Sequence, residues 1–385
     1  MCGAPSVEGE LALSHRGYAA FVFAVPLVLA AGLEAVFALL SDGRGRARML
    51  VAAQAVLSIA LLATSAARSA WSLTLGLAVA GAASGVACGA AQALLIVGAA
   101  PRDAERAMVR WTLFGAIGDV IAPLVTAGAL ALGFSYRAAM AVVGIGVALQ
   151  CAASVRATRS AAQRAARETR EDGGDAEEGA PDSDAPAPLW LALATGARRP
   201  SLWMWLFAAA ACTLLDEVIV AFAALRLERV QGATAWLATA TAVTFSAGTV
   251  LGAALTDRAV TRWSSRAVMV GSAAACVLAL AAFLATGSAV AAAVALFVVG
   301  VTCAPHHALA QSRAYAEMPN NPGTVQAIGQ LFVVLDVALP LAIGVVADVS
   351  GLGAAIAFLG AQPAVMLVCA LLEGRPRAPF AGTGE

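Results

Sequence analysis

The sequence contains no lysine, and charged residues of every kind make up only 12% of its 385 residues. Aromatic residues are also scarce, at 6%. A soluble domain carries about twice that fraction of charged residues, so the composition excludes an ordinary soluble protein. The formal net charge is zero, which by itself indicates no class of partner. We expect no nucleic-acid partner.

The sequence also lacks the common catalytic and cofactor-binding motifs. It contains no GxSxG, HExxH or P-loop motif, and no GxGxxG between a strand and a helix. Its seven cysteines are scattered singly, without CxxC or other metal-ligand spacing. We therefore expect no enzyme, no cofactor and no metal site.

Apolar residues, by contrast, make up 61% of the chain, and the mean hydropathy is +0.82. About 20 apolar residues span a bilayer as a helix, and the tracts show no alternation typical of barrel strands. We therefore predict an all-α membrane protein with eleven transmembrane helices. The eleven tracts are 18–40, 48–67, 71–98, 108–132, 136–155, 201–225, 234–256, 266–286, 289–311, 324–347 and 352–372.

The arginine positions predict how the spans are oriented. When alternate loops are assigned to alternate sides, 19 arginines fall on one side and 5 on the other. Arginine-rich loops are cytoplasmic. We therefore predict a multi-pass protein of the cell membrane with a cytoplasmic tail at 373–385. Residues 1–17 lack the apolar core of a signal peptide and are predicted to be extracytoplasmic.

One long polar stretch, 156–200, divides the spans into two halves, 18–155 and 201–372. Its acidic, Gly/Pro-rich part is predicted to be a disordered cytoplasmic linker. The halves repeat each other, because Asp42 and Asp257 lie 215 residues apart and the same offset aligns GVACGAAQAL with GVTCAPHHAL. At an offset of 217, GDVIAPL aligns with LDVALPL. A duplicated helical bundle is an arrangement found among secondary transporters.

The two repeated loops resemble the loop motif of the major facilitator superfamily, Gly-x-Leu-x-Asp-Arg-x-Gly-Arg-Arg. Four residues of the first loop match: Leu40, Asp42, Gly45 and Arg46. Three residues of the second loop match: Leu255, Asp257 and Arg258. Ala38, Gly43 and Val260 depart from it. With the duplication, the resemblance covers almost the whole chain and implies two helical halves that rock around a central cavity.

The family has twelve helices, whereas this chain shows eleven tracts. The repeat offset places the partner of 201–225 mostly before Met1. We expect that the chain starts in the first outer loop, and that a misplaced start codon, rather than a true eleven-helix protein, explains the difference.

The loop motif implies a conformational latch, made and broken as the halves rock. Its aspartate can pair with arginine or with a helix N-terminus of the other half. Glu34 can pair with the motif arginines or with a group on the span 324–347. Alternatively, these arginines, Arg44 and Arg48 in particular, are simply positive-inside residues. The predicted latch residues are Asp42, Arg46, Arg48, Asp257, Arg258 and Glu34.

Polar residues inside spans are costly and suggest function. The family lines its cavity with helices that correspond here to 71–98, 201–225 and 289–311. Each candidate also has a packing interpretation, as an interhelical hydrogen bond or a buried pair. Gly81, Gly85 and Gly89 follow the spacing of close helix packing. The predicted substrate-binding residues are Gln92, Asp216, Glu217, His306 and His307.

Asp119 and Asp336 are equivalent in the repeat, and each is followed four residues later by a proline. Each lies about 17 Å along its helix from the cytoplasmic end. We predict that they carry the coupling proton, Asp336 before Asp119. Alternatively, Asp119 is a neutral acid bonded to the hydroxyl groups of 239–249.

These residues predict a secondary transporter that works by alternating access, coupled to protons and in the direction of efflux. Its expected partners are a small neutral or cationic organic substrate, protons and the lipid bilayer, and it is expected to be a monomer. A membrane-embedded enzyme that uses the histidines and buried aspartates is one alternative. A non-transporting receptor or degraded paralogue is another.

Overall fold

A computed structural model describes residues 25–40, 45–97, 99–171, 189–212, 214–232 and 235–373. Asp42, the predicted N-terminal segment 1–17, part of the linker and nearly all of the predicted tail lie outside these residues. Within the described residues the chain forms helices and no strand. The predicted all-α fold is confirmed.

The helices follow the predicted tracts closely. In chain order they are α1 (Val25–Leu40), α2 (Arg46–Ser65), α3 (Ala70–Ile96), α4 (Pro101–Ala131), α5 (Tyr136–Glu171), α6 (Leu189–Ala197), α7 (Pro200–Ala211), α8 (Ile219–Gln231), α9 (Ala235–Arg262), α10 (Ser265–Ala285), α11 (Ala289–Glu317), α12 (Pro322–Gly329), α13 (Val333–Leu359) and α14 (Ala361–Leu372).

Two tracts are built from more than one helical piece. A π-helical segment, Leu214–Val218, joins α7 to α8, and a 3₁₀ turn, Gln330–Phe332, joins α12 to α13. Gly351 interrupts α13 with a φ of 84°, a left-handed conformation that glycine adopts without steric cost. Gly351 therefore separates the last two predicted spans.

By length and composition, seven helical stretches of the described chain can cross a membrane. The last of them, Pro322–Leu372, covers two predicted tracts. The remaining three tracts coincide with α1, α4 and α9. Eleven predicted tracts therefore have helical counterparts in the structure.

The helices form two compact units. The first consists of Met1–Val97, Ile121–Arg198 and Met318–Leu331, and the second of Gly98–Val120, Arg199–Glu317 and Phe332–Glu385. In the first unit, α2 packs on α3 and α5, and α3 packs on α1. The Ser58 hydroxyl donates a hydrogen bond of 2.8 Å to the Gly144 carbonyl and ties α2 to α5.

In the second unit, α9 and α11 approach each other along small residues. A methyl group added at Gly248 would lie 2.3 Å from the Phe297 carbonyl oxygen, and one at Gly300 would lie 2.4 Å from that of Phe245. Small residues let membrane helices approach closely, which replaces the hydrophobic driving force that lipid removes. Gly248 and Gly300 therefore allow α9 and α11 to pack closely.

Gly300→Ala is expected to lower the stability of the protein by about 1–3 kcal/mol, because the new methyl group must push backbone atoms apart. The thermal unfolding midpoint of the purified protein in detergent measures the effect. Gly271→Ala on α10 is the matched control, because nothing lies within 4 Å of the added methyl group. Equal midpoints for the two variants would contradict the close packing of α9 on α11.

Candidate functional site

An ionic contact joins α9 to the beginning of α4. Asp257 Oδ1 accepts hydrogen bonds from Arg106 Nε at 3.2 Å and from Arg110 Nε at 3.1 Å. Asp257 Oδ2 accepts from Arg110 Nη2 at 3.4 Å. We call this contact the ionic joint. Because α4 belongs to the first sequence half and α9 to the second, the joint links the two halves.

The charge of Asp257 is held by its two arginines. Partial burial raises the pKa of this carboxyl, but the hydrogen bonds and charges of Arg106 and Arg110 together outweigh burial, and the pKa is lowered from 3.8. A lowered pKa stabilises the folded protein above the ordinary pKa, and this contribution is lost as the pH falls through the folded value. The ionic joint is therefore fully charged at neutral pH.

A second polar cluster surrounds Arg313 near the end of α11. Its guanidinium contacts Glu105 of α4 at 3.5 Å and Glu373, just after α14, at 3.1 Å. The Ser265 hydroxyl donates to Glu105. Burial raises the pKa of Glu373 more than Arg313 and Arg266 lower it. The first turns of α4 therefore meet α9 and α11 through ion pairs and α10 through a hydrogen bond.

Sequence reasoning missed the partners of Asp257. Arg106 and Arg110 were counted only as positive-inside residues, although their spacing of four places both on one face of a helix. Arg106 and Arg110 lie in the repeat equivalent of the segment around α12. Their spacing of four residues there is the signal that could have identified them as partners of one acidic group.

Glu34 meets a group on the span 324–347, one of its two predicted partners. Gln326 Nε2 of α12 donates a hydrogen bond of 2.8 Å to Glu34 Oε1 of α1. We call this contact the amide joint. It also links helices of different sequence halves, and it lies within the first compact unit.

The structure also describes three other predicted latch residues, Arg46, Arg48 and Arg258. Arg46 begins α2 and is half-buried, whereas Arg48 is exposed and lines an apolar cavity of about 460 Å³ with residues of α1, α2 and α3. Arg258 is exposed and donates to the Ala254 carbonyl of its own helix at 3.5 Å. Their role in a latch stays a prediction.

Asp216 lies in the π-helical segment between α7 and α8, and its side chain is exposed on the protein surface. A π turn changes the backbone hydrogen-bond register, and such turns are frequent at functional sites. The N–H of Leu215 donates to Gln362 Oε1 of α14 at 2.8 Å. Gln362, which is fully buried, therefore holds the segment that carries Asp216. The side chain of Glu217 lies outside the described part of the chain.

The remaining substrate candidates are buried to different degrees. Gln92 is buried in α3, and His307 of α11 is half-buried. His306 has no exposed surface, and within the described part of the chain neither ring nitrogen has a hydrogen-bond partner. His306 therefore does not pair with Asp216. Three or more metal-ligating side chains do not come together anywhere among the described residues.

The two proton candidates have different surroundings. Asp119 is exposed on α4, and Asp336 is half-buried in the first turn of α13. Pro340 lies inside α13, and because proline has no N–H, the carbonyl of Asp336 lacks its usual donor within the helix. Of the hydroxyls proposed as partners of Asp119, Thr249 donates instead to the Ser246 carbonyl.

Comparison with known proteins decides the family. The model of the Major Facilitator Superfamily matches residues 4–339. This chain belongs to that superfamily. The resemblance drawn from the loop motif and the duplication is confirmed, and the protein is a membrane transporter by family. No curated protein matches the chain.

Solved structures of other superfamily members share the fold. The E. coli fucose:proton symporter FucP has a TM-score of 0.66 and 12% identity, covering 92% of this chain and 88% of that one. The proton:xylose symporter XylE has a TM-score of 0.68 and 12% identity, covering 94% and 89%. The human organic anion transporter MFSD10 has a TM-score of 0.63 and 14% identity, covering 92% and 83%.

The ionic joint can be measured by a double-mutant cycle. Asp257→Asn and Arg110→Gln are expected to show a coupling of about 0.2–1 kcal/mol, because the pair is partly exposed to water. Unfolding in detergent at pH 7 measures it, and the coupling should disappear below the lowered pKa of Asp257 and weaken in high salt. Arg258→Gln replaces Arg110→Gln in the control cycle. An equal coupling there would contradict the specific pairing.

Proposed function

We propose that this protein is a secondary active transporter that moves a small organic solute by alternating access, with proton coupling and in the direction of efflux. The ionic joint is the observation that carries the proposal. It links α4 of the first sequence half to α9 of the second through charges that water can also solvate. Such a contact is weak enough to break and form again as the halves move.

The location of the joint supports a latch at one face of the membrane. Asp257, Arg106 and Arg110 lie in the parts of α9 and α4 that border the arginine-rich loops, which the positive-inside rule assigns to the cytoplasm. When the joint is formed, the helix ends on that side are held together. We also propose that the protein works as a monomer in the cell membrane, with its linker and C-terminus in the cytoplasm.

Substrate is proposed to bind where polar groups interrupt the spans. Asp216, in its π-helical segment, offers a carboxylate that can meet a cation, and Gln92, Glu217, His306 and His307 are further candidates. No arginine lies in the middle of a predicted span, so a neutral or cationic organic compound suits the site better than an anion.

The coupling proton is proposed to bind Asp336, with Asp119 as its repeat counterpart. A carboxylate in the middle of a span is costly when charged, so it is expected to be protonated at neutral pH in one conformation. The half-buried side chain of Asp336 and the proline four residues later support this role. The fold shared with two proton symporters supports it only at the level of architecture.

Transport by the full chain in proteoliposomes tests the proposal. A panel of neutral and cationic organic compounds is offered under an imposed pH gradient, and at least one should move against its concentration gradient. Absence of gradient-driven flux across a broad panel, with the protein shown to be folded and inserted, would contradict secondary transport.

Asp336→Asn tests the proton assignment once a substrate is found. The variant should lose accumulation driven by the pH gradient and keep substrate exchange, because the neutral amide cannot release a proton. Asp348→Asn is the matched control, since Asp348 is exposed on the same helix α13. Unchanged accumulation and proton stoichiometry in Asp336→Asn would show that Asp336 is a packing residue.

A further inference from the structure

The carboxyl group of Glu34 fits into a gap made by the glycines of α3. A methyl group at Gly85 would lie 1.9 Å from Glu34 Oε2, and one at Gly81 would lie 3.1 Å from Ala30 Cβ, one turn earlier on α1. A methyl group at Gly89 would lie 3.4 Å from Gln326 Cγ. The glycines therefore make room for helix packing and also for an acidic side chain and its amide partner.

The surroundings of Glu34 contain little that could balance a negative charge. Its hydrogen-bond partner Gln326 is neutral, and the sequence of α12, PGTVQAIG, has no charged residue. On α3, the titratable group on the same side as Gly85 is Cys88, which follows it by three residues, about one helical turn. No arginine contacts Glu34 among the described residues. Glu34 is half-buried, and a carboxylate with one neutral donor is poorly compensated where part of its hydration is lost.

The amide joint differs from the ionic joint in this respect. At the offset of 217 residues that aligns the repeats, Gln326 corresponds to Val109, the neighbour of Arg110. In both joints, an acidic side chain of one sequence half contacts a residue near the beginning of a helix from the other half. Only the ionic joint supplies arginines, which keep its acid charged at neutral pH. Near neutral pH, therefore, only the amide joint depends on whether its acid carries a proton.

We propose that Glu34, Gly85 and Gln326 form a proton-binding joint, in which proton uptake by the Glu34 carboxylate closes the contact of α1 with α12 and proton release opens it. The reaction is one proton taken from water by one carboxylate. The neutral acid remains hydrogen-bonded to the amide at low cost, whereas the carboxylate favours the hydrated, separated arrangement. As a coupling site, this joint rests on the proposed transport function and adds to Asp336.

Alkylation of Cys88 by N-ethylmaleimide reports whether the joint is open, because Cys88 follows Gly85, against which the Glu34 carboxyl group lies, by about one turn of α3. The full chain is reconstituted in liposomes, and site-resolved mass spectrometry compares Cys88 with Cys151, a half-buried thiol on α5. Dividing the alkylation rate of Cys88 by that of Cys151 removes the ordinary increase of the thiolate fraction with pH, which both cysteines share. Repulsion by ionised Glu34 would slow alkylation of Cys88, so a rising ratio reports opening.

In the unmodified protein, the Cys88 to Cys151 ratio should rise with pH, by up to about tenfold per pH unit, the limit for one titrating proton. Glu34→Gln should remove the rise and keep Cys88 protected, since its neutral amide mimics the protonated acid. A Glu34→Gln variant with the same pH profile as the unmodified protein would overturn the proposal.

Two further variants should leave Cys88 reactive at every pH. Gly85→Ala places a methyl group on the Glu34 carboxylate, and Gln326→Leu removes the donor without crowding α3. Gly32→Ala on α1 is the matched control, because the added methyl group meets nothing within 4 Å, and it should behave as the unmodified protein. If Gly85→Ala does not fold, Gln326→Leu decides, and protection of its Cys88 at low pH would overturn the proposal.

The alkylation assay needs no substrate, so it separates this inference from the proposed function. If the Cys88 alkylation profile depends on Glu34 but no compound is transported, the proposed transport function is contradicted and the proton-binding joint is retained. Proton-driven flux that is equal in Glu34→Gln and the unmodified protein would keep the function and remove the joint from the coupling mechanism.

Discussion

The absence of water from the hydrocarbon core governs this structure. A backbone N–H or C=O group in a span must find a partner within the protein, because an unsatisfied group in lipid costs several kcal/mol. Regular helices meet this demand along most of the chain. The irregular places are informative because each needs its own solution. The π turn that contains Asp216 is one of them, and the fully buried Gln362 accepts the hydrogen bond of the Leu215 N–H there.

Pro305 poses the same problem in α11. It lacks an N–H, so the Val301 carbonyl four residues earlier loses its donor. Gly252 of α9 lies against that carbonyl, since a methyl group at Gly252 would be 2.2 Å from the oxygen. A proline in one helix and a glycine in its neighbour are thus part of one arrangement. The close contact allows a weak Cα–H···O interaction with this carbonyl oxygen.

The sequence predicted the spans and the family because these depend on properties summed over many residues. Twenty apolar residues identify a span wherever they lie, and a repeat offset needs only local matches. The partners of individual charges were harder to predict. Arg106 and Arg110 look like any arginines of a cytoplasmic loop until α9 brings Asp257 beside them. Gln362 and the π turn were also missed, because hydropathy does not detect a local change in helical register.

The glycine spacing on α3 shows which features of a helix contact a local sequence pattern can predict and which it cannot. The spacing of Gly81, Gly85 and Gly89 correctly indicated a packed helix face, but it could not indicate that Glu34 fills the space over Gly85. Close packing and a polar site are not alternatives at this position. A side chain larger than hydrogen at 85 would exclude the carboxyl group, and without the carboxyl group the gap would be a cavity. The same glycine therefore serves the packing of α1 on α3 and the contact of α1 with α12.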